Sequence, residues 1–184
     1  MRLRILLSLV VLATGLYSCK EDALPKPKAM LRLEYDAAET AEYQAEHYEF
    51  SLNKKARVKQ NDNSSLTLEY PGMKGSIFMT YKEVEDNLDL LIADAQKLSY
   101  EHVVKADNII EQPFVNTEDR VFGMYYEVQG NAASQAQFYV TDSLGKFVTG
   151  SLYFYARPNY DSIYPAAAYL QNDIRQIMES LRWK

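Results

Sequence analysis

The spacing of apolar residues changes character along this chain, and each change marks an element. Residues 5–16 form an almost unbroken apolar run. From Ala29 onward the period drops to two, the repeat of a half-buried β-strand. Residues 30–35 alternate in part, 48–52 alternate cleanly, and 56–59 form a weaker strand candidate. A turn cluster at Asn61, Asp62, Asn63 and Ser64 precedes a strand over 66–70, which Pro71 and Gly72 end. A further strand over 76–81 follows, so the two flank a hairpin with a longer loop.

At Glu83 the period lengthens. Val84, Leu88, Leu91, Ala95 and Leu98 recur at spacings of four and three, which predicts a helix over 83–98 with one apolar stripe. Glu83 and Glu85 then occupy the first turn and Lys97 the last, both favourable to the helix dipole. Residues 99–112 are ambiguous, with a short helical piece expected over 106–111. Three strands follow at 121–128, 135–141 and 147–156. Their links, 130–133 and 142–145, are short and rich in turn residues, so antiparallel neighbours are expected. The chain closes with an amphipathic helix striped by Ile163, Ala167, Leu170, Ile174, Ile177 and Leu181. Ser162 is its expected N-cap, with Pro165 in the first turn. No internal repeat or low-complexity tract appears.

Strands in meander order, a middle helix and a closing helix imply an α+β domain: an antiparallel sheet flanked by helices. By analogy, the last strands and final helix look like a Mog1/PsbP-like sandwich. One globular domain is expected over 29–184.

The N-terminal run has a different meaning. Arg2 and Arg4 precede it, and Leu16-Tyr17-Ser18-Cys19 follows. Positive charge, a short apolar stretch, a small residue and a cysteine together form the layout of a bacterial lipoprotein signal peptide. Residues 1–18 would be removed and Cys19 would carry the acyl chains, palmitate among them. The run is too short for an ordinary membrane span of about 20 residues. A plain secretory signal and an uncleaved anchor are the competing readings. Cys19 is the only cysteine of 184 residues, so no internal disulfide can form and lipidation gives it a use. Residues 19–28 read as a tether, charged at Lys20, Glu21 and Asp22 and extended by Pro25 and Pro27. The Lys20-Glu21-Asp22 sequence also resembles surface-export signals of Bacteroidota lipoproteins; simple solvation of the tether is the other reading.

Charge narrows the partners. The chain has 20 Lys+Arg against 25 Asp+Glu. Losing Arg2 and Arg4 with the signal leaves 18 basic residues, a net charge of −7. Such a domain, with no basic block, does not suit nucleic acid, and its attachment to the membrane is expected through the lipid alone.

Catalytic signatures are missing from the sequence. His47 and His102 stand far apart without metal-ligand spacing, and no serine sits in a nucleophile elbow. No catalytic residue, metal or cofactor is expected. Tyrosine is frequent, with 15 copies against one tryptophan; it serves half-buried strands, or a wet aromatic binding surface. The densest stretch joins the last strand to the last helix. Its candidate partner-binding residues are Tyr153, Tyr155, Arg157, Asn159, Tyr160 and Asp161. With Leu152 and Phe154 facing the core, Tyr153 and Tyr155 face the other way. The alternative is a rigid turn framed by Pro158 and Pro165, its tyrosines packing the helix down. Residues 123–135, with small side chains, read as a tight hairpin.

Several of these blocks occur together in a known pattern. Residues 27–33, 102–107, 130–134, 138–143, 150–154 and 158–163, ending in 178–183, resemble the gliding-motility lipoprotein family GldD of Bacteroidota. The resemblance runs through the mature chain in order. It implies an accessory lipoprotein of the gliding-motility and type IX secretion machinery, partnered by other envelope proteins of that machinery. It also implies no enzyme activity and supplies no catalytic residues. An outer-membrane position, on the periplasmic face or the cell surface, is favoured over the inner membrane. The alternative function is a glycan- or peptidoglycan-binding module using the same aromatic residues.

Overall fold

A computed structural model describes residues 35–184, apart from 63, 102–104 and 156–158. The expected signal peptide, Cys19, the tether, and the strand proposed over 30–35 except Tyr35 lie outside the described residues.

Ten strands and two α-helices follow one another in the described chain. They are β1 (Thr40–Gln44), β2 (Tyr48–Asn53), β3 (Arg57–Gln60), β4 (Ser65–Tyr70), β5 (Gly75–Glu83), α1 (Leu88–Tyr100), β6 (Ala106–Asn116), β7 (Val121–Gly130), β8 (Ser134–Thr141), β9 (Lys146–Phe154), α2 (Tyr160–Ser180) and β10 (Arg182–Trp183). The α+β expectation holds, with one addition: two antiparallel sheets rather than one. The larger has seven strands in the order β3-β4-β5-β9-β8-β7-β6, and the smaller is β1-β2-β10.

Alternation decides which side chains meet. On one face of the large sheet, Leu68, Ile77, Val148 and Leu152 pack with Leu170, Ile174 and Ile177 of α2. Tyr48, Phe50 and Leu52 of the small sheet join the same core. Fully burying one such side chain contributes about 1.5–3 kcal/mol, so the stripe of α2 is a main source of stability. Several tyrosines are buried as well: Tyr48, Tyr70, Tyr81, Tyr125, Tyr126 and Tyr139. On the opposite face, Leu91 and Ala95 of α1 pack on Tyr126, Tyr139 and Phe147. Covered from both sides, β8 is buried along its whole length.

Three boundaries differ from the sequence reading. The middle helix begins at Leu88, not Glu83, because β5 stays paired with β9 as far as Glu83 opposite Lys146. Val84 then bonds to Gly145 O at 2.9 Å, and Asp86 turns the chain with φ of 55°. The first-turn acid is therefore Asp89, and Ser99 rather than Leu98 completes the buried face. Residues 106–111 are strand, not helix: β6 pairs with β7 along Ala106–Asn116, and tertiary pairing overrides a weak local preference. Pro113 is tolerated because β6 is an edge strand. Finally, β9 stops at Phe154, and α2 starts at Tyr160 with Asn159 in the cap position. Ser162 is inside that helix, its hydroxyl bonded to Asn159 O at 2.9 Å, and Pro165 is also inside.

Candidate functional site

Helix α1 covers only part of its face of the large sheet. Its Ile92 side packs toward Ile109 and Met124 of β6 and β7. On that same flank Tyr100 meets Tyr126 edge-on at 6.4 Å and bonds to Glu111. The opposite flank, one third of a turn round, carries Leu98 and Glu101 and looks toward β9 and β5. Consistent with this, Glu101 is close enough to add to the upward pKa shift of Tyr153, whose main cause is burial. The sheet beyond, over β3, β4, β5 and the end of β9, has no helix of the described residues on it.

Register lays out that open half. One row runs Arg57–Glu69–Ser76–Tyr153 across β3, β4, β5 and β9. The next runs Lys59–Thr67–Phe78–Ser151. Phe78 and Tyr153 lie diagonally between rows and meet edge to face, centroids 5.8 Å apart at 71°. Tyr155 follows past the strand end. Its N–H donates to Lys74 O at 2.8 Å, and its hydroxyl lies 3.4 Å from the Ser76 hydroxyl. Phe78 is 38% exposed, Leu98 51% and Tyr155 66%. Three aromatic rings and a leucine thus stand on this face among Ser76 and Thr67, which are buried, and Ser151, which is half-buried. Large apolar groups held in water on a rigid sheet mark a candidate interaction surface.

The structure divides the residues singled out from sequence. Tyr153 and Tyr155 share the open face, with Leu152 buried on the other side as expected. Arg157 lies outside the described residues. Asn159, Tyr160 and Asp161 belong to the start of α2, which packs against the opposite face. Asn159 accepts bonds from the N–H groups of Ser162 and Ile163. The Tyr160 N–H donates to Asn131 Oδ1 at 2.9 Å, and its ring stands edge-on to Tyr164 at 5.4 Å. Burial, then Tyr164, pushes the Tyr160 hydroxyl up to about 12. Asp161 is an exposed first-turn acid that suits the helix dipole. These three build the helix start and do not join the aromatic face.

Phe78, Leu98, Arg57 and Lys59 were not singled out from sequence. A signal existed in β5, where Ser76, Phe78, Thr80 and Lys82 alternate with Ile77, Met79 and Tyr81. An aromatic among polar partners on the polar side of a strand marks an exposed ring. His47 is stacked on Tyr81 at 4.1 Å. Among the described residues, no group of His, Cys, Asp or Glu is arranged to hold a metal.

The family model of the gliding motility lipoprotein GldD matches residues 20–183. The chain belongs to the GldD family. Among curated proteins no match was found. Membership in the GldD family makes this a lipoprotein linked to gliding motility and anchored at a membrane of the cell envelope. No helix of the described residues is long and apolar enough to cross a membrane. For a GldD protein the open aromatic face is thus a surface carried on a membrane-attached domain.

Proposed function

We propose that this GldD-family protein is a non-enzymatic docking or assembly factor of the gliding-motility and type IX secretion machinery. In this reading Cys19 carries the lipid and holds the domain at the outer membrane. The open half of the sheet, with Phe78, Tyr153 and Tyr155, receives another envelope protein of that machinery. The observation that carries the reading is the half-covered sheet: α1 buries β7 and β8, yet leaves exposed aromatic rings over β5 and β9. Aromatic side chains on a rigid element give large contact area at little entropic cost.

A glycan or peptidoglycan module is the alternative. Sugar rings stack best on aromatic faces lying flat at the surface. The rings of Phe78 and Tyr153 stand at 71° to each other and offer no common plane for a sugar to lie on, so the protein partner is preferred.

The test is photocrosslinking in intact native cells. A photoreactive residue at Tyr155 is expected to capture an envelope protein, whereas one at Asn172, on exposed α2 surface, is not. Equal yields, or capture of cell-wall fragments alone, would sink the docking reading.

A further inference from the structure

Basic side chains of this acidic protein separate into two groups. Many are engaged: Lys54 pairs with Glu39, Arg175 with Glu127 and Arg182 with Asp119. Lys55 bonds to Asp36 O, and Arg120 to Asp142 O. By contrast, Arg57, Lys59, Lys74, Lys82, Lys97 and Lys105 make no ion pair or hydrogen bond through their side chains with any described residue. All are exposed, Lys97 on α1 and Lys105 just before β6. Arg57 and Lys59 stand on the open face of the sheet, Lys74 is beside Tyr155, and Lys82 lies opposite Phe147, among Glu46, Glu83 and Glu85.

From this we infer that the docking segment of the partner is an extended, acidic stretch of polypeptide carrying an aromatic or apolar residue. The inference rests on the docking reading and names its chemistry. Arg57 and Lys59 point the same way from one strand, two residues and about 7 Å apart. Carboxylates at every second residue of an extended chain have that same repeat, so two can meet the two cations together. Lys59 is two strand spacings, about 10 Å, from Phe78. Three further residues of extended chain, crossing β4, span that distance and carry an aromatic residue to Phe78 while the acids stay over β3.

Two acids temper the field, Glu69 between Arg57 and Ser76 and Glu101 near Tyr153. Their presence favours spaced single charges over a dense cluster of phosphates, because a phosphate group would face Glu69 as closely as Arg57. A phospholipid or lipopolysaccharide headgroup therefore fits less well than a peptide.

The experiment uses the full lipidated chain in detergent micelles and a fluorescent random copolymer of glutamate and tyrosine, read by anisotropy. Wild type is expected to bind. Arg57→Glu with Lys59→Glu is expected to weaken binding about tenfold, since exposed ion pairs are each worth a modest amount. Lys97→Glu with Lys105→Glu, the same charge change elsewhere, is expected to leave affinity within about twofold. Phe78→Ser is expected to weaken binding most at high salt, where charge is screened. Absence of copolymer binding overturns the inference, as does equal loss in both charge-reversed variants. So does loss of binding to phosphatidylglycerol vesicles, without loss of copolymer binding, in the Arg57→Glu, Lys59→Glu variant. Crosslinking from position 155 in cells carrying that variant separates the two proposals. Undiminished capture of the same protein leaves docking standing and removes the acidic segment; no capture even in wild type removes docking itself.

Discussion

The Ser99 hydroxyl donates to Gln137 Oε1 at 3.0 Å, joining the last turn of α1 to the buried middle strand β8. The same glutamine amide donates to Leu98 O at 3.4 Å. One side chain thus meets both a hydroxyl and a carbonyl at the helix end. Both Ser99 and Gln137 are buried, where an unpaired polar group is costly. This clamp holds α1 over β8 and keeps it off β5, so it sets the width of the open aromatic face.

Ser99→Ala removes the donor and strands the Gln137 oxygen. A loss of about 1–3 kcal/mol is expected in urea unfolding. Hydrogen exchange should accelerate through residues 88–100 while β4 and β5 keep their protection. Unchanged exchange in α1 would mean that Leu91 and Ala95 alone place the helix.

Asp173 gives a pH-dependent prediction. Its carboxylate is buried in α2 and accepts from Asn53 Nδ2 at 2.8 Å, tying the small sheet to the helix. The Tyr70 hydroxyl is buried nearby without a hydrogen bond of good geometry. Burial pushes the Asp173 carboxyl above its usual range, although Asn53, Tyr70 and Lys55 pull it back. Folded protein therefore holds this proton more tightly than the unfolded chain does. The group's contribution is greatest in acid and falls as pH rises from the unfolded value, about 3.9, through the raised folded one. Asp173→Asn lacks that fall. Urea midpoints from pH 3.5 to 7 should show the variant gaining on wild type as pH rises; the opposite trend would show that the charged form stabilises the fold.

Gly123 and Gly145 form a matched pair. A Cβ on Gly123 would come 2.0 Å from Tyr139 O, on the neighbouring strand β8. Gly123→Ala must push backbone apart and is expected to cost about 3 kcal/mol. At Gly145 nothing lies within 4 Å of an added Cβ, so Gly145→Ala should stay within about 0.5 kcal/mol of wild type. Denaturant titration of both variants checks the contrast.

Cys19→Ser tests the anchor. Labelling with an alkyne analogue of palmitate should mark wild type and not the variant, and the variant should leave the membrane fraction. Retention of the variant in membranes would point to an uncleaved apolar segment instead.

Local pattern made much of the fold legible. The strands β2, β4, β5, β7, β8 and β9 alternate strongly enough to be read directly, and the stripe of α2 from Ala167 to Leu181 meets the core as its spacing requires. Errors fell where an element depends on a distant partner. Residues 83–87 have helical spacing, yet β9 supplies bonds that keep Glu83 in a strand. Ile109 and Ile110 favour a strand by their β-branching, and pairing with β7 makes the whole of 106–111 strand. For the site, Tyr153 and Tyr155 were legible because they sit opposite Leu152 in one alternating run. Asn159, Tyr160 and Asp161 were grouped with them by nearness in sequence, but they start α2, which packs on the other side of the sheet.

By itself the sequence determined the α+β class, the antiparallel order of the last strands, the amphipathic closing helix and the family. These follow from periodicity, turn residues and motif order, all properties of contiguous stretches. Tertiary structure alone decided that β5 lies against β9, that the small sheet packs on α2, and that α1 stops short of β5. Those outcomes depend on pairings between residues far apart in the chain, such as Ser99 with Gln137, Ile77 with Leu152 and Asn53 with Asp173. No local propensity encodes them, because their energy exists only once the two distant segments have met and excluded water from between them.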